Sequence, residues 1–119
     1  MTDEPCLDEH ALPRLERMVG RDVMDEVLDL YLENAPRRIE SVRRGLAGGP
    51  LDDATRALHD IKSSAGMVGA TAVQRLAEEM ERLARAGDVA ALRAHLERLE
   101  LLLRQAERAL TDARTRRNP

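Results

Sequence analysis

The chain has 119 residues and a formal net charge of -3, and its 43% of hydrophobic residues include one Tyr but no Phe or Trp. A chain of this length forms one domain that buries about 60 to 70% of its unfolded surface, and a core without aromatic bulk must be built from Leu, Val, Ile, Met and Ala, as in a helical bundle. Charges of both signs are spread along most of the sequence, and only Arg114, Arg116 and Arg117 cluster, which argues against a nucleic-acid surface.

In chain order, the acidic opening MTDEPCLDEH lacks the apolar segment of a signal peptide. No later stretch approaches the roughly 18 apolar residues of a membrane span. The expectation is a cytoplasmic protein that does not bind membranes. The lone Cys6 excludes an internal disulfide and reads as an incidental thiol. A short helix is predicted from Glu9 to Met18, with Leu12, Leu15 and Met18 on one side and Pro13 in its first turn. Gly20 ends it. Asp22 is positioned to cap the next helix, whose Val23, Val27, Leu30 and Tyr31 follow the spacing of a buried stripe. Pro36 removes a backbone donor within that helix, so the chain either kinks or restarts there before Ile39, Val42 and Leu46.

AGGP at residues 47–50 stops the second helix, and Asp52 is a candidate cap for a third helix running from Leu51 to Val68. Thr71 and Gln74 have the spacing of a capping box and open a helix with Val73, Leu76, Ala77, Met80, Leu83 and Ala84 on one face. Gly87 and Asp88 separate it from a final long helix with Val89, Leu92, Leu96, Leu99, Leu103, Ala106 and Leu110 inward. Glu78 with Arg82, Glu81 with Arg85, and Glu100 with Arg104 have i,i+4 spacing and read as solvated surface pairs. The result is an all-α, up-and-down four-helix bundle with an additional short N-terminal helix. It forms a single domain over residues 1–119, with flexible ends at 1–8 and 114–119.

The third predicted helix carries the chemistry. At about 100° per residue, Ala54, Leu58, Ile61, Ala65 and Val68 share one face, and His59 points away from it. Around His59 lie Thr55, Lys62, Ser63, Gly66 and Ala70. Lys62 is the only lysine in a chain whose Lys and Arg total 19. A glycine inside a helix costs about 1 kcal/mol relative to Ala, so Gly66 is out of place on a purely solvated face. Small residues one and two turns beyond a histidine leave room for another body to approach its ring. Imidazole offers a nitrogen lone pair near neutral pH and can form a covalent phospho-intermediate. A compact ammonium meets a phosphoryl group as a point charge, without the bidentate grip of a guanidinium. No P-loop or kinase signature accompanies these residues.

LHDIKSSAGMVGA, Leu58 to Ala70, resembles the signature H-x-L-K-G-S-x-x-x-x-G-A of histidine phosphotransfer (HPt) domains. LDLYLENAPRRIESVRRGL and LAEEMERLARAGD are similar to the family's flanking helices. The resemblance implies that His59 is phosphorylated on its outer ring nitrogen and that Lys62 supports the phosphoryl group. It also implies a docking surface around Thr55, Ser63, Gly66 and Gly69, with Gly69 ending the helix. The implied partners are response-regulator receiver domains and a hybrid sensor histidine kinase, for a monomeric carrier without ATP-dependent kinase activity. No cofactor of its own is implied, and Mg2+ is expected on the receiver. Ser63 stands where Gly is frequent, and Tyr31 where Phe is common.

Two other readings are available. H-D-I-K, with Asp60 beside the histidine, also resembles the H-box of histidine-kinase dimerisation domains, although the usual proline is missing and the chain has no room for an ATP-binding domain. A bundle that binds receivers as an adaptor without phosphotransfer is the third reading. His10 and His95 lack partners at metal-ligand spacing and read as surface residues.

Overall fold

A computed structural model describes residues 6–117. It contains five helices: α1 (Ala11–Val19), α2 (Arg21–Leu46), α3 (Leu51–Val68), α4 (Thr71–Arg85) and α5 (Val89–Arg117), with no strand among the described residues. Each helix from α2 to α5 packs on the next, and α5 returns to α2, closing a ring of four. The short α1 lies against α2 and α3. This is the up-and-down bundle expected from the helical spacing, with its extra N-terminal helix. No helix of the described residues is long and apolar enough to cross a membrane.

The core runs the length of the ring and is aliphatic, centred on Met24, Leu28, Leu58, Ile61, Met80, Leu92, Leu99 and Leu110. All of the apolar face predicted for α3, Ala54, Leu58, Ile61, Ala65 and Val68, is buried. In α2 the predicted stripe is corrected in part: Tyr31 is buried and Val27 packs against the core as expected. Met24, Leu28 and Tyr31 face inward, whereas Val23 and Leu30 are 43% and 56% exposed. Val23, Val27 and Leu30 have the same helical spacing as Met24, Leu28 and Tyr31, so periodicity alone could not choose between two apolar stripes one residue apart. In α1, Ala11, Leu12 and Leu15 are buried but Met18 is 74% exposed.

α2 continues without interruption through Pro36, which answers the question of kink or restart in favour of one helix. Burial of Tyr31 before the proline and of Ile39 and Val42 after it keeps both halves on the same core, which offsets the single missing donor. Three caps are also corrected. Gly20, with φ of 86°, precedes α2, and Asp22 lies inside its first turn. Pro50 precedes α3, placing Asp52 and Asp53 in the first turn, where carboxylates favour the helix dipole. Ala70 precedes α4 with no side-chain cap, and the Thr71 hydroxyl donates to the Gly69 carbonyl at 3.3 Å instead of forming a capping box. Asp88 does cap α5, accepting from the Ala91 N–H at 3.1 Å.

The predicted surface pairs are partly rearranged. Arg82 pairs with Glu79, and Glu100 with Arg43 of α2 instead of Arg104. Arg93 of α5 donates to the Leu46 carbonyl at 2.7 Å and so ties down the end of α2. Among the chain ends expected to be loose, residues 1–5, 118 and 119 lie outside the described residues. The remainder make definite contacts: the Asp8 N–H donates to the Gly69 carbonyl at 2.8 Å, Arg114 pairs with Asp29 at 2.5 Å, and Arg117 pairs with Glu16.

Candidate functional site

His59 sits in the middle of α3, opposite the buried stripe, with its side chain 52% exposed. Its ring is anchored from α4. Nδ1 lies 3.1 Å from Oε2 of Glu81. Glu81 is only 4% exposed and, among the described residues, is the one charged residue that is buried. Lys62, one turn after His59, places Nζ 2.8 Å from the other carboxylate oxygen, Oε1. Arg85, one turn further along α4, donates to Oε2 at 2.7 Å.

Burial alone would raise the Glu81 pKa, but the bonds from Lys62, Arg85 and His59 outweigh it and hold the carboxyl down at about 2. Glu81 is therefore ionised at neutral pH and can only accept hydrogen bonds. This fixes the tautomer of neutral His59: Nδ1 carries the hydrogen and donates it to Glu81, leaving the lone pair on Nε2. Sequence reasoning took Glu81 as half of a solvated pair with Arg85. The pair exists, but its carboxylate belongs to the interior and to the histidine. A signal was present, because Glu81 borders the apolar face of Val73, Ala77, Met80 and Ala84, where a solvated charge is out of place.

The expected docking residues divide into two groups. Thr55 is half-buried one turn before His59, with its hydroxyl donating to the Leu51 carbonyl at 3.0 Å, and Ser63 is exposed one turn after. Both flank the ring. Gly66 is half-exposed, and the space a side chain would need there is taken by Gln74 of α4, whose Nε2 would lie 2.5 Å from an added Cβ. Gly69 is corrected. It is buried beneath the start of α1, where an added Cβ would meet that of Ala11 at 2.3 Å, and its φ of 79° ends α3 in the left-handed region. It shapes the fold and presents no surface. Ala70 is also buried.

Asp60 lies along the cleft between α2 and α3 with Arg38, Ser41 and Arg56. The two other histidines do not join the site. His95 Nδ1 is 2.7 Å from the Ala91 carbonyl, and His10 is exposed beside Glu9. No group of three or more potential metal ligands exists among the described residues.

A half-exposed imidazole with a buried carboxylate behind it and a lysine one turn away accords with comparison to known proteins. The family model described as "Hpt domain" matches residues 26–109, well over half of the chain. The chain belongs to the Hpt domain family. Histidine phosphotransfer in a two-component phosphorelay is accordingly its function, and Hpt domains interact there with receiver domains and histidine kinases. The fold agrees with two solved Hpt structures. Histidine-containing phosphotransfer protein B (HptB) from Pseudomonas aeruginosa PAO1 superposes with a TM-score of 0.86 at 23% identity, over 96% of this chain and 98% of that one. The Hpt domain of a sensor hybrid histidine kinase from Shewanella superposes with a TM-score of 0.78 at 18% identity, over 93% and 95%. No curated protein sequence matches the chain.

Proposed function

We propose that this Hpt domain carries the phosphoryl group on Nε2 of His59 and passes it between receiver-domain aspartates. The reading rests on the Glu81 bond to Nδ1, which leaves the lone pair on the other nitrogen of a half-exposed ring. The Nε2 lone pair attacks phosphorus of an aspartyl phosphate; the N–P bond forms as the P–O bond breaks, and the receiver regains its carboxylate. The ring becomes positively charged in the step. Its Nδ1–H stays in the bond to Glu81, whose negative charge opposes the developing positive one. Lys62 supplies the cation for the phosphoryl oxygens, and the reverse steps deliver the group to a second receiver.

Thr55 and Ser63 form the rim that a receiver meets. The chain acts as a cytoplasmic monomer with no ATP-dependent kinase activity and no cofactor of its own, the Mg2+ of the reaction belonging to the receiver. The test is incubation with a phosphorylated receiver domain, followed by assay for acid-labile, alkali-stable phosphate on the wild type and on His59→Gln. Label on the wild type alone is expected. Unlabelled wild type that still binds the receiver would replace this reading with that of an adaptor, and label taken directly from ATP would make the protein a kinase.

A further inference from the structure

The three groups on the Glu81 carboxylate differ in their freedom to leave. Lys62 reaches Oε1 from α3 at 2.8 Å, whereas Arg85 reaches Oε2 at 2.7 Å from the next turn of α4, the helix that carries Glu81 itself. His59 shares Oε2 at 3.1 Å. Among the described residues these are the charged or titratable groups in contact with the carboxylate: His59 and Lys62 from α3 and Arg85 from α4. The Glu81 side chain is 6% exposed, and an ionised carboxylate buried to that degree needs a counter-charge at every stage of a reaction. When Lys62 turns to the phosphoryl oxygens on His59, it gives up its contact with Oε1. Arg85 is then the permanent cation left on Glu81, because a guanidinium stays charged throughout the working pH range and its i,i+4 geometry does not depend on α3.

We propose that Arg85 is a positioning residue for phosphotransfer: it is the fixed counter-ion of Glu81, and it frees Lys62 to move between that carboxylate and the phosphoryl group on His59. This rests on His59 as the phosphoacceptor and Lys62 as the phosphoryl group's cation. A second consequence follows from the shared oxygen. Arg85 draws on the charge of the same Oε2 that accepts from His59, and so moderates the hold of the carboxylate on the ring. Removal of the guanidinium leaves Lys62 held on Glu81 and strengthens the bond from Nδ1–H.

The test compares Arg85→Ala and Arg85→Lys in the full chain, each with and without Glu81→Gln. The readouts are the rate of label uptake from a phosphorylated receiver and helicity. Arg85→Ala is expected to slow uptake about tenfold, the scale of one hydrogen bond to a charged group. Arg85→Lys, which keeps a charge on the same helix face, restores most of the rate. In the Glu81→Gln background Arg85→Ala should change the rate less than about twofold, because no buried charge is left to balance and no carboxylate holds the lysine. Uptake by Arg85→Ala within twofold of wild type, or an equal loss in the Glu81→Gln background, would overturn the proposal. So would a loss that Arg85→Lys fails to rescue. Absence of label on the wild type would overturn the phosphoacceptor reading together with it, whereas normal labelling with an unaffected Arg85→Ala overturns the role of Arg85 alone.

Discussion

His59 and Glu81, 22 residues apart and on neighbouring helices, meet through a 3.1 Å bond from Nδ1–H to Oε2. Because the carboxylate is ionised and buried, the bond selects a tautomer as well as an orientation, and the nitrogen turned away from the bundle is the one with a lone pair. An exposed histidine is thereby held in one orientation by a buried carboxylate.

Removing the carboxylate tests this relationship. Glu81→Ala is expected to slow phosphoryl uptake by about 10-fold to 100-fold, because the ring loses both its orientation and the charge that opposes the developing imidazolium. Glu81→Gln should lose less, since its amide oxygen still accepts from Nδ1–H. Label uptake from a phosphorylated receiver measures both variants, and a wild-type rate for Glu81→Ala would refute the tautomer argument.

Lys62 should matter for rate and not for fold. Its ammonium is half-buried at the edge of the site, and the α3 core lies on the opposite face. Lys62→Ala is expected to slow transfer about tenfold, the scale of one lost charge-assisted contact, with unchanged far-UV helicity. Lys62→Arg should restore it only in part, because a planar fork cannot exchange between Glu81 and the phosphoryl group as a point charge does. An unaltered rate in Lys62→Ala removes the residue from the mechanism.

Acid stability follows from Glu81. Its folded-state pKa of about 2 lies below the ordinary 4.5, so ionisation stabilises the fold fully above 4.5, and the contribution is lost as pH falls from 4.5 towards 2. The shift corresponds to about 3 kcal/mol. Glu81→Gln should be less stable than wild type at neutral pH, and the difference should shrink by about that amount on acidification to pH 2. Denaturant unfolding at pH 7, 4 and 2 measures it, and a difference constant with pH would contradict the depressed pKa.

The two glycines after His59 should respond oppositely to alanine. Gly69→Ala places a side chain at φ 79° and drives its Cβ against Ala11, so a loss of about 2 to 4 kcal/mol is expected from left-handed strain and overpacking together. Gly66→Ala meets only the end of the flexible Gln74 side chain, and the helix gains up to about 1 kcal/mol of propensity, leaving stability near neutral or raised. Urea unfolding of the two variants decides; equal destabilisation would show that Gln74 cannot swing aside.

Much of this protein was legible in its sequence because the information is local. Helix periodicity and the glycine and proline breaks give five helices in order, and the short connections make each of α2 to α5 pack on its neighbour. The orientation of α3 was also local, since its apolar stripe has no apolar rival and so sends His59 outward. In α2 the same reasoning is right for Val27 and Tyr31 but not for Val23 and Leu30, because two apolar faces lie side by side and only packing against α1, α3 and α5 adds Met24 and Leu28 to the core.

What the sequence by itself determined is therefore the set of helices, the exposed histidine and the lysine one turn beyond it, all consequences of side-chain spacing along single helices. The tertiary structure decided which partners those residues meet. Only the packing of α4 against α3 buries Glu81 behind His59, fills the gap at Gly66 with Gln74 and brings Lys62 to the carboxylate oxygen opposite the one that Arg85 holds from within α4. Charge pairing on a surface can be read from i,i+4 spacing, but the burial that makes a carboxylate hold a tautomer arises between helices, where no local pattern records it.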